Sequence, residues 1–340
     1  MLILTNCLTE TADEGCLKVA NSLIKRIKKA HSGVTIISYE RQTKETDIYL
    51  EINKFLISGK LFSVIKKRKE PVLYMPFPAR TTPTALRIFN LSFFSRRKPN
   101  VVLTMKSPYG FFGKLLLRLS KANLIVFSKD AYDFYVKIVG QKRVAYLKTG
   151  VDTEKFIPVS KEEQRKLKQK YGFNADKPIV LHVGHLNQGR NVGQLLKISN
   201  EYQVVLVTST LTKEEQDLQL RKELSSHSNI TIMDEYIPNI QEIYQLSDVY
   251  FFPVLASGHC IDVPLSCMEA AACNKPILTT AYGEMKELIK KDGFSLLNSF
   301  EEGELNKQIE KSLMLENCCT RQAVLECDWN NAIDYLIDLK

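Results

Sequence analysis

Residues 253–280, PVLASGHCIDVPLSCMEAAACNKPILTT, decide the fold. Just before them, Val249-Tyr-Phe-Phe252 is apolar without alternation, the pattern of a strand buried on both faces of a parallel sheet. Pro276 to Thr280 reads as the next such strand. Between the two, Pro264 suits a helix's first turn, where its missing N–H is not needed, and Asn274 suits the left-handed turn that ends the helix. A parallel βαβ unit follows. In open α/β sheets, ligands sit at the loops beyond the carboxyl ends of the strands, and helix amino termini there offer N–H groups to anions. Glu269 stands about a turn and a half into this helix, on one face with Leu265 and Ala272. Two readings fit it: an acid favoured near a helix amino end, or a carboxylate accepting hydrogen bonds from ribose hydroxyls beneath a phosphate site. Asp262 likewise either caps the helix or orients a bound sugar.

Glu269-Ala-Ala-Ala-Cys-Asn-Lys-Pro276 resembles the second half of the donor-binding signature of the retaining nucleotide-sugar glycosyltransferases of family four (glycosyl transferases group 1), which have the GT-B fold. That signature carries another Glu eight positions earlier; here Ile261 stands in its place, with Asp262 and His259 as the polar neighbours. Two further stretches carry the resemblance. Asn-Gly-Val-Asp-x-x-x-Phe-x-Pro, the family's interdomain passage, is matched by Thr149-Gly-Val-Asp152 through Phe156 and Pro158. The family's Val-Gly-Arg-Leu loop ending in Lys-Gly is matched by Val183-Gly184-His185-Leu186 and a cation at Arg190.

The chain has 340 residues, long for one core, so two domains of ordinary size are expected. A hydrophobic content of 44% is that of a globular protein rather than a disordered one. The net charge of +9 favours anionic partners. Nucleic acid is the least favoured of these, because the basic residues look dispersed and no recognised module accompanies them. Eight cysteines show no C-x-x-C pair and no His at zinc spacing, which fits a reduced cytosolic chain. The opening MLILTNCLTETADEG lacks the charged start and long apolar core of a signal peptide, and no apolar run approaches a membrane span. A cytoplasmic protein is expected, peripheral at most on the inner face of the membrane.

Leu2–Thr5 and Val34–Tyr39 read as strands flanking a helix over Cys16–Lys29, in which Leu17, Ala20, Leu23, Ile24 and Ile27 share one face. Helical patterns are read over Ile48–Leu56 and Leu61–Lys69, the second ending in Lys66-Lys-Arg-Lys69. Pro71–Met75 is a strand whose exit loop carries Arg80. The cluster Ser95-Arg-Arg-Lys98 follows Phe93 and Phe94; with the first basic run it reads either as solvated helix ends or as a face for an anionic membrane. Val101–Met105 is a strand, and Lys106 falls where the resemblance implies a His near donor sugar and acceptor. A lysine there can hold a phosphate but does not titrate near neutrality unaided.

In the second half, Ser160-Lys-Glu-Glu163 is a capping box opening a helix that stops at Gly172. Pro178–Gly184 is a strand whose glycine lets the backbone pass close to a ligand. Helices are expected over Val192–Ile198, Lys213–Ser225 and Glu284–Lys290, and His182 reads as core. Arg190 reads either as a surface charge at a helix start or, because a cation there is set against the dipole, as a phosphate contact.

The expectation is an α/β protein of two Rossmann-like domains facing a cleft. Residues 1–155 form the acceptor side, 156–325 the nucleotide-sugar side, and 326–340 a helix crossing back to the first. The resemblance implies a hexosyl group moved from a nucleotide-diphospho-sugar to a glycan or lipid-linked acceptor hydroxyl with retention, no metal or cofactor being required, in surface-glycan or glycolipid assembly. Arg190, Glu269 and Lys106 carry the chemistry. Gly184, His185, Ser257, Gly258, His259, Asp262 and Arg80 bind substrate, and the loop Asn6–Glu14 with the segment Arg80–Arg97 decides the acceptor. Two rivals stand beside it: a sugar-nucleotide epimerase on the same frame, and a non-enzymatic nucleotide-sugar-binding protein with a degenerate donor site.

Overall fold

The computed structural model describes residues 1–10, 14–68, 70–77, 82–208, 217–255, 258–315 and 318–339. The chain divides into two units, Met1–Thr149 with Trp329–Lys340, and Gly150–Asp328.

Unit 1 is built on a seven-stranded parallel sheet: β1 (Leu2–Thr5), β2 (Thr35–Ser38), β3 (Ile48–Tyr49), β4 (Val72–Met75), β5 (Asn100–Leu103), β6 (Asn123–Val126) and β7 (Val144–Tyr146), in the order β3-β2-β1-β4-β5-β6-β7. Its strands are short apolar runs, and β1, β4 and β5 are buried throughout, as sheets covered on both faces require. Five helices connect them: α1 (Gly15–Ala30), α2 (Gly59–Lys67), α3 (Thr82–Phe94), α4 (Phe111–Leu119) and α5 (Lys129–Val139). Ser58 and Ser128 cap α2 and α5 through their hydroxyls.

The helix expected over Ile48–Leu56 does not form. Ile48, Leu50 and Ile52 alternate instead, and all three pack against the unit 1 core. The Asn53 side chain then accepts from the N–H groups of Phe55 and Ile57, and Leu56 turns left-handed at φ 62, which closes off a helix.

Unit 2 is a six-stranded parallel sheet, β8 (Ile179–Val183), β9 (Gln203–Val207), β10 (Ile230–Met233), β11 (Val249–Phe252), β12 (Ile277–Thr279) and β13 (Phe294–Leu296), in the order β10-β9-β8-β11-β12-β13. Its helices are α6 (Lys161–Lys170), α7 (Leu218–Ser226), α8 (Ile240–Leu246), α9 (Leu265–Ala272), α10 (Met285–Leu288), α11 (Glu302–Leu313) and α12 (Thr320–Val324). α7 starts at Leu218, where the Asp217 side chain caps it; residues 213–216 of the expected helix lie outside the described residues. Val192–Lys197 winds as a 3-10 helix rather than an α-helix. Asn274 is left-handed at φ 57 and ends the α9 turn, as its sequence position implies.

The units part at 149/150 and 328/329 rather than at the expected 155/156 and 325/326. The reason is local pairing. Val151 bridges Asp328, whose carboxylate accepts from both the N–H and the hydroxyl of Thr153. Arg321 adds bonds to the carbonyls of Thr153, Phe156 and Ala272. Both linking segments are thereby sewn into unit 2. The final helix α13 (Asn330–Ile337) packs on α1 within unit 1.

Candidate functional site

In each sheet the chain first moves outward on one side and then returns to the other, so unit 2 has its switch point between β8 and β11. Crevices at such points, beyond the carboxyl ends of the strands, are where this architecture binds ligands. Both loops singled out in the sequence leave from there: Gly184–Arg190 follows β8, and Pro253–Pro264 follows β11.

The β8 loop is folded around Arg190. Asn187 caps a single 3-10 turn, Gln188–Arg190, by accepting the Arg190 N–H at 3.0 Å. The side chain is buried, 8% exposed, and its Nε has no hydrogen-bond partner. Among the described residues no carboxylate pairs with it. A Cβ at Gly184 would come within 3.3 Å of Arg190 Nη1 and 3.0 Å of His182 Nε2, so the glycine keeps the space in which these groups meet. His182 is fully buried, and its Nδ1 donates to the Phe251 carbonyl at 2.8 Å, leaving Nε2 as an unpartnered acceptor. Burial first, and then the Arg190 charge, pull its pKa down to about 4 against the raising effect of that carbonyl. The imidazole is neutral at ordinary pH.

The two loops touch. Asn191, left-handed at φ 56, donates its Nδ2 to the Pro253 carbonyl at 3.1 Å. His259 lies against Gly189 so closely that a Cβ there would be 2.1 Å from its Nδ1. Gly258 takes φ 90, a conformation glycine adopts freely. His185 is half-buried, and its carbonyl accepts from the Asn187 N–H. Ser257 lies outside the described residues.

Further along the same loop, Asp262 is buried and its carbonyl accepts the Glu284 N–H at 2.9 Å. Pro264, at the amino end of α9, offers no side-chain cap of its own. Glu269 is 3% exposed and accepts a 2.8 Å hydrogen bond from the Tyr244 hydroxyl of α8. Burial, and then the Glu269 charge, hold that phenol well above its ordinary pKa, so it stays a donor. Tyr244 is the contact that sequence reasoning missed; it lies on the apolar face of another helix, and only its hydroxyl distinguishes it.

In unit 1, Lys106 leaves β5 and pairs with Asp130 in the first turn of α5 at 3.1 Å, both half-exposed. Arg80 lies outside the described residues. Among the described residues no group of three or more His, Cys, Asp or Glu is arranged to hold a metal. The structure thus brings together Gly184, Arg190, Gly258 and His259 at one switch point. Asp262 and Glu269 are set on the β11–α9 segment of the same unit.

Residues 163–323 match the family described as glycosyl transferases group 1. The protein EpsD of Bacillus subtilis (strain 168), which carries a provisional glycosyltransferase name, is 26% identical over 147 residues, 42% of this chain. That match spans 37% of EpsD's own length. A glycosyltransferase from Rickettsia africae ESF-5 superposes with a TM-score of 0.77 at 15% identity, over 99% of this chain and 96% of that one. Anabaena Alr3699/HepE in complex with UDP-glucose gives 0.75 at 16% identity, over 99% and 98%. At these identities the likeness is one of fold, the two-sheet GT-B fold.

Proposed function

We propose that this chain, whose residues 163–323 match the glycosyl transferases group 1 family, is a glycosyltransferase that moves a hexosyl group from a nucleotide-diphospho-sugar to an acceptor hydroxyl with retention. The observation that carries the reading is Arg190: a buried guanidinium with an unpartnered Nε at the β8/β11 switch point. A buried cation without a counter-ion is costly and calls for an anion as its partner. A diphosphate meets that need bidentately.

In the reaction the bond from the sugar's anomeric carbon to the diphosphate oxygen breaks, and its electron pair stays on that oxygen. A bond from the acceptor oxygen to the same carbon forms, and the acceptor's proton passes to the departing phosphate. Catalysis on this account is stabilisation of the leaving charge. Arg190 and the N–H groups at the start of α9 receive the diphosphate, while Gly184 and Gly258 let backbone approach it. Glu269, oriented by Tyr244, accepts the ribose hydroxyls. His259 and Asp262 orient the sugar, with His185 alongside the phosphates. Lys106, paired with Asp130, and the segment around Arg80 serve the acceptor side. No metal is required. A complex of the HepE neighbour with UDP-glucose supports a nucleotide-sugar donor, and a glycan or lipid-linked acceptor in surface-glycan assembly follows the family's habit.

Calorimetric titration with UDP, GDP, ADP and their hexose conjugates tests this. One nucleotide should bind selectively. Arg190→Ala should weaken its diphosphate at least about tenfold while sparing the nucleoside, and Glu269→Ala should weaken both. Equal losses of diphosphate and nucleoside in Arg190→Ala would sink the assignment. A second reading rests on Ile261, buried and apolar where the family signature carries a carboxylate. On that reading the chain binds nucleotide-sugar without transferring it, and donor binding without turnover in any acceptor mixture would establish it.

A further inference from the structure

From Pro71 to Lys129 the chain runs 59 residues with ten Lys or Arg and not one Asp or Glu. The fold gathers part of this charge on two adjoining helices of unit 1. α3 packs along α4. The Lys121 N–H, just past α4, donates to the Ser92 hydroxyl near the end of α3 at 2.6 Å. The exposed cations Arg96, Arg97 and Lys98 thus lie close to the carboxyl end of α4.

Apolar side chains stand out among these cations. α4 turns Gly113, Leu116 and Leu117 inward, yet Phe111, Leu115 and Leu119 repeat at i, i+4 and i+8 on the outer side. That makes a second apolar stripe, with Phe112 beside it and Lys114 and Arg118 alongside. Phe111 is 83% exposed, Phe112 60% and Leu119 60%. At the end of α3, Phe93 is 75% exposed, its ring edge-on to Phe94, which stacks on Phe62 at 3.8 Å. Single exposed apolar residues mean little, but four on two adjoining helices that carry Lys and Arg and no acid form a patch.

Beside it a cavity of about 160 Å³ is lined by Arg68, Arg96 and Arg97 at the ends of α2 and α3. Its one acid, Glu70, faces Arg68 at 3.6 Å. Arg96 and Arg97 have no carboxylate partner among the described residues.

We propose that this face of unit 1 docks on an anionic lipid bilayer. The four exposed apolar side chains enter the boundary between headgroups and acyl chains, the surrounding cations meet lipid phosphates, and the arginine cavity seats one headgroup. Charge selects this occupant. A second copy of the chain would set cation against cation across a symmetric contact, whereas an anionic leaflet attracts each Lys or Arg brought to it. No helix of the described residues is long and apolar enough to cross a membrane, so the contact is interfacial. This docking is independent of the transferase reading.

Co-sedimentation of the full chain tests it, with vesicles of phosphatidylcholine alone and of phosphatidylcholine mixed equally with phosphatidylglycerol. Binding should be at least about tenfold tighter to the mixed vesicles and should weaken with salt. The triple variants F93S/F111S/F112S and R96Q/R97Q/K98Q change only surface side chains. Each should lose about tenfold in vesicle affinity while keeping the wild-type circular dichroism and nucleotide titration. Absence of binding to mixed vesicles, equal binding to both kinds, or wild-type binding by both variants overturns the proposal. So does a concentration-dependent dimer that the phenylalanine variant abolishes without any vesicle binding.

Discussion

Two glycines shape unit 2 by what they omit. At Gly189 an added Cβ would lie 2.1 Å from the His259 ring, and at Gly283, with φ +49, it would lie 2.0 Å from the Asp262 carbonyl oxygen. The first obstacle is a side chain that can swing away, the second is backbone. Gly189→Ala is therefore expected to displace His259 and weaken donor binding several-fold with little loss of stability. Gly283→Ala should cost about 2 kcal/mol or more in urea unfolding. His182 sets a pH dependence. Its folded pKa of about 4 lies below its ordinary 6.5, so the unfolded chain binds the proton more readily. Stability from this group is complete above about 6.5 and is lost as pH falls toward about 4, by up to about 3 kcal/mol. Unfolding of His182→Phe against wild type at neutral and acid pH should show a correspondingly flatter profile in the variant. At this scale Glu269 was legible, because one carboxylate on an apolar stripe is conspicuous. Tyr244 was not, since a tyrosine at a core position looks the same whether its hydroxyl meets a carboxylate or water.

Among the elements, α6 is held to the unit 2 sheet by charge as well as packing. Lys168, 4% exposed, donates to Asp248 at 2.7 Å and to the Lys177 carbonyl, while Asp248 also accepts the Ile179 N–H that opens β8. Gln164, one turn earlier on α6, donates to the Ser247 carbonyl and Asp248. Asp248→Ala leaves a buried ammonium uncompensated and should cost about 3 kcal/mol or more. A lowered urea midpoint at unchanged slope is the expected result, and an unchanged midpoint would show that Lys168 finds water instead. The capping box at Ser160 was readable because it is local: the Ser160 hydroxyl accepts the Glu163 N–H. Ile48–Leu56 was misread for the same reason in reverse. Its apolar residues satisfy both periods over so few positions, and the deciding facts are the Asn53 turn and pairing of β3 with β2. The exposed stripe of α4 escaped notice because Phe111–Leu119 is apolar on both sides, which a sequence presents as an ordinary core helix.

For the whole molecule, the doubly wound sheets were legible from unbroken apolar runs alternating with amphipathic ones, and the division into units from the passage near Gly150. The exact seams were not, because they depend on the long-range bridge between Val151 and Asp328. That bridge leaves unit 1 in two pieces, 1–149 and 329–340. The second piece buries Trp329, Ala332, Ile333 and Leu336. Truncation after Asp328 should therefore lower the melting of unit 1 by several degrees and leave the unit 2 transition in place, two events that calorimetry separates. In the full-length chain Trp329, its one tryptophan, is an optical reporter for unit 1. The discontinuity also bears on biosynthesis. On the ribosome residues 1–149 emerge first but cannot finish their core, whereas unit 2 has all its residues once Asp328 has cleared the exit tunnel. The half made earliest is thus completed last, and its α1 face waits, uncovered, for α13.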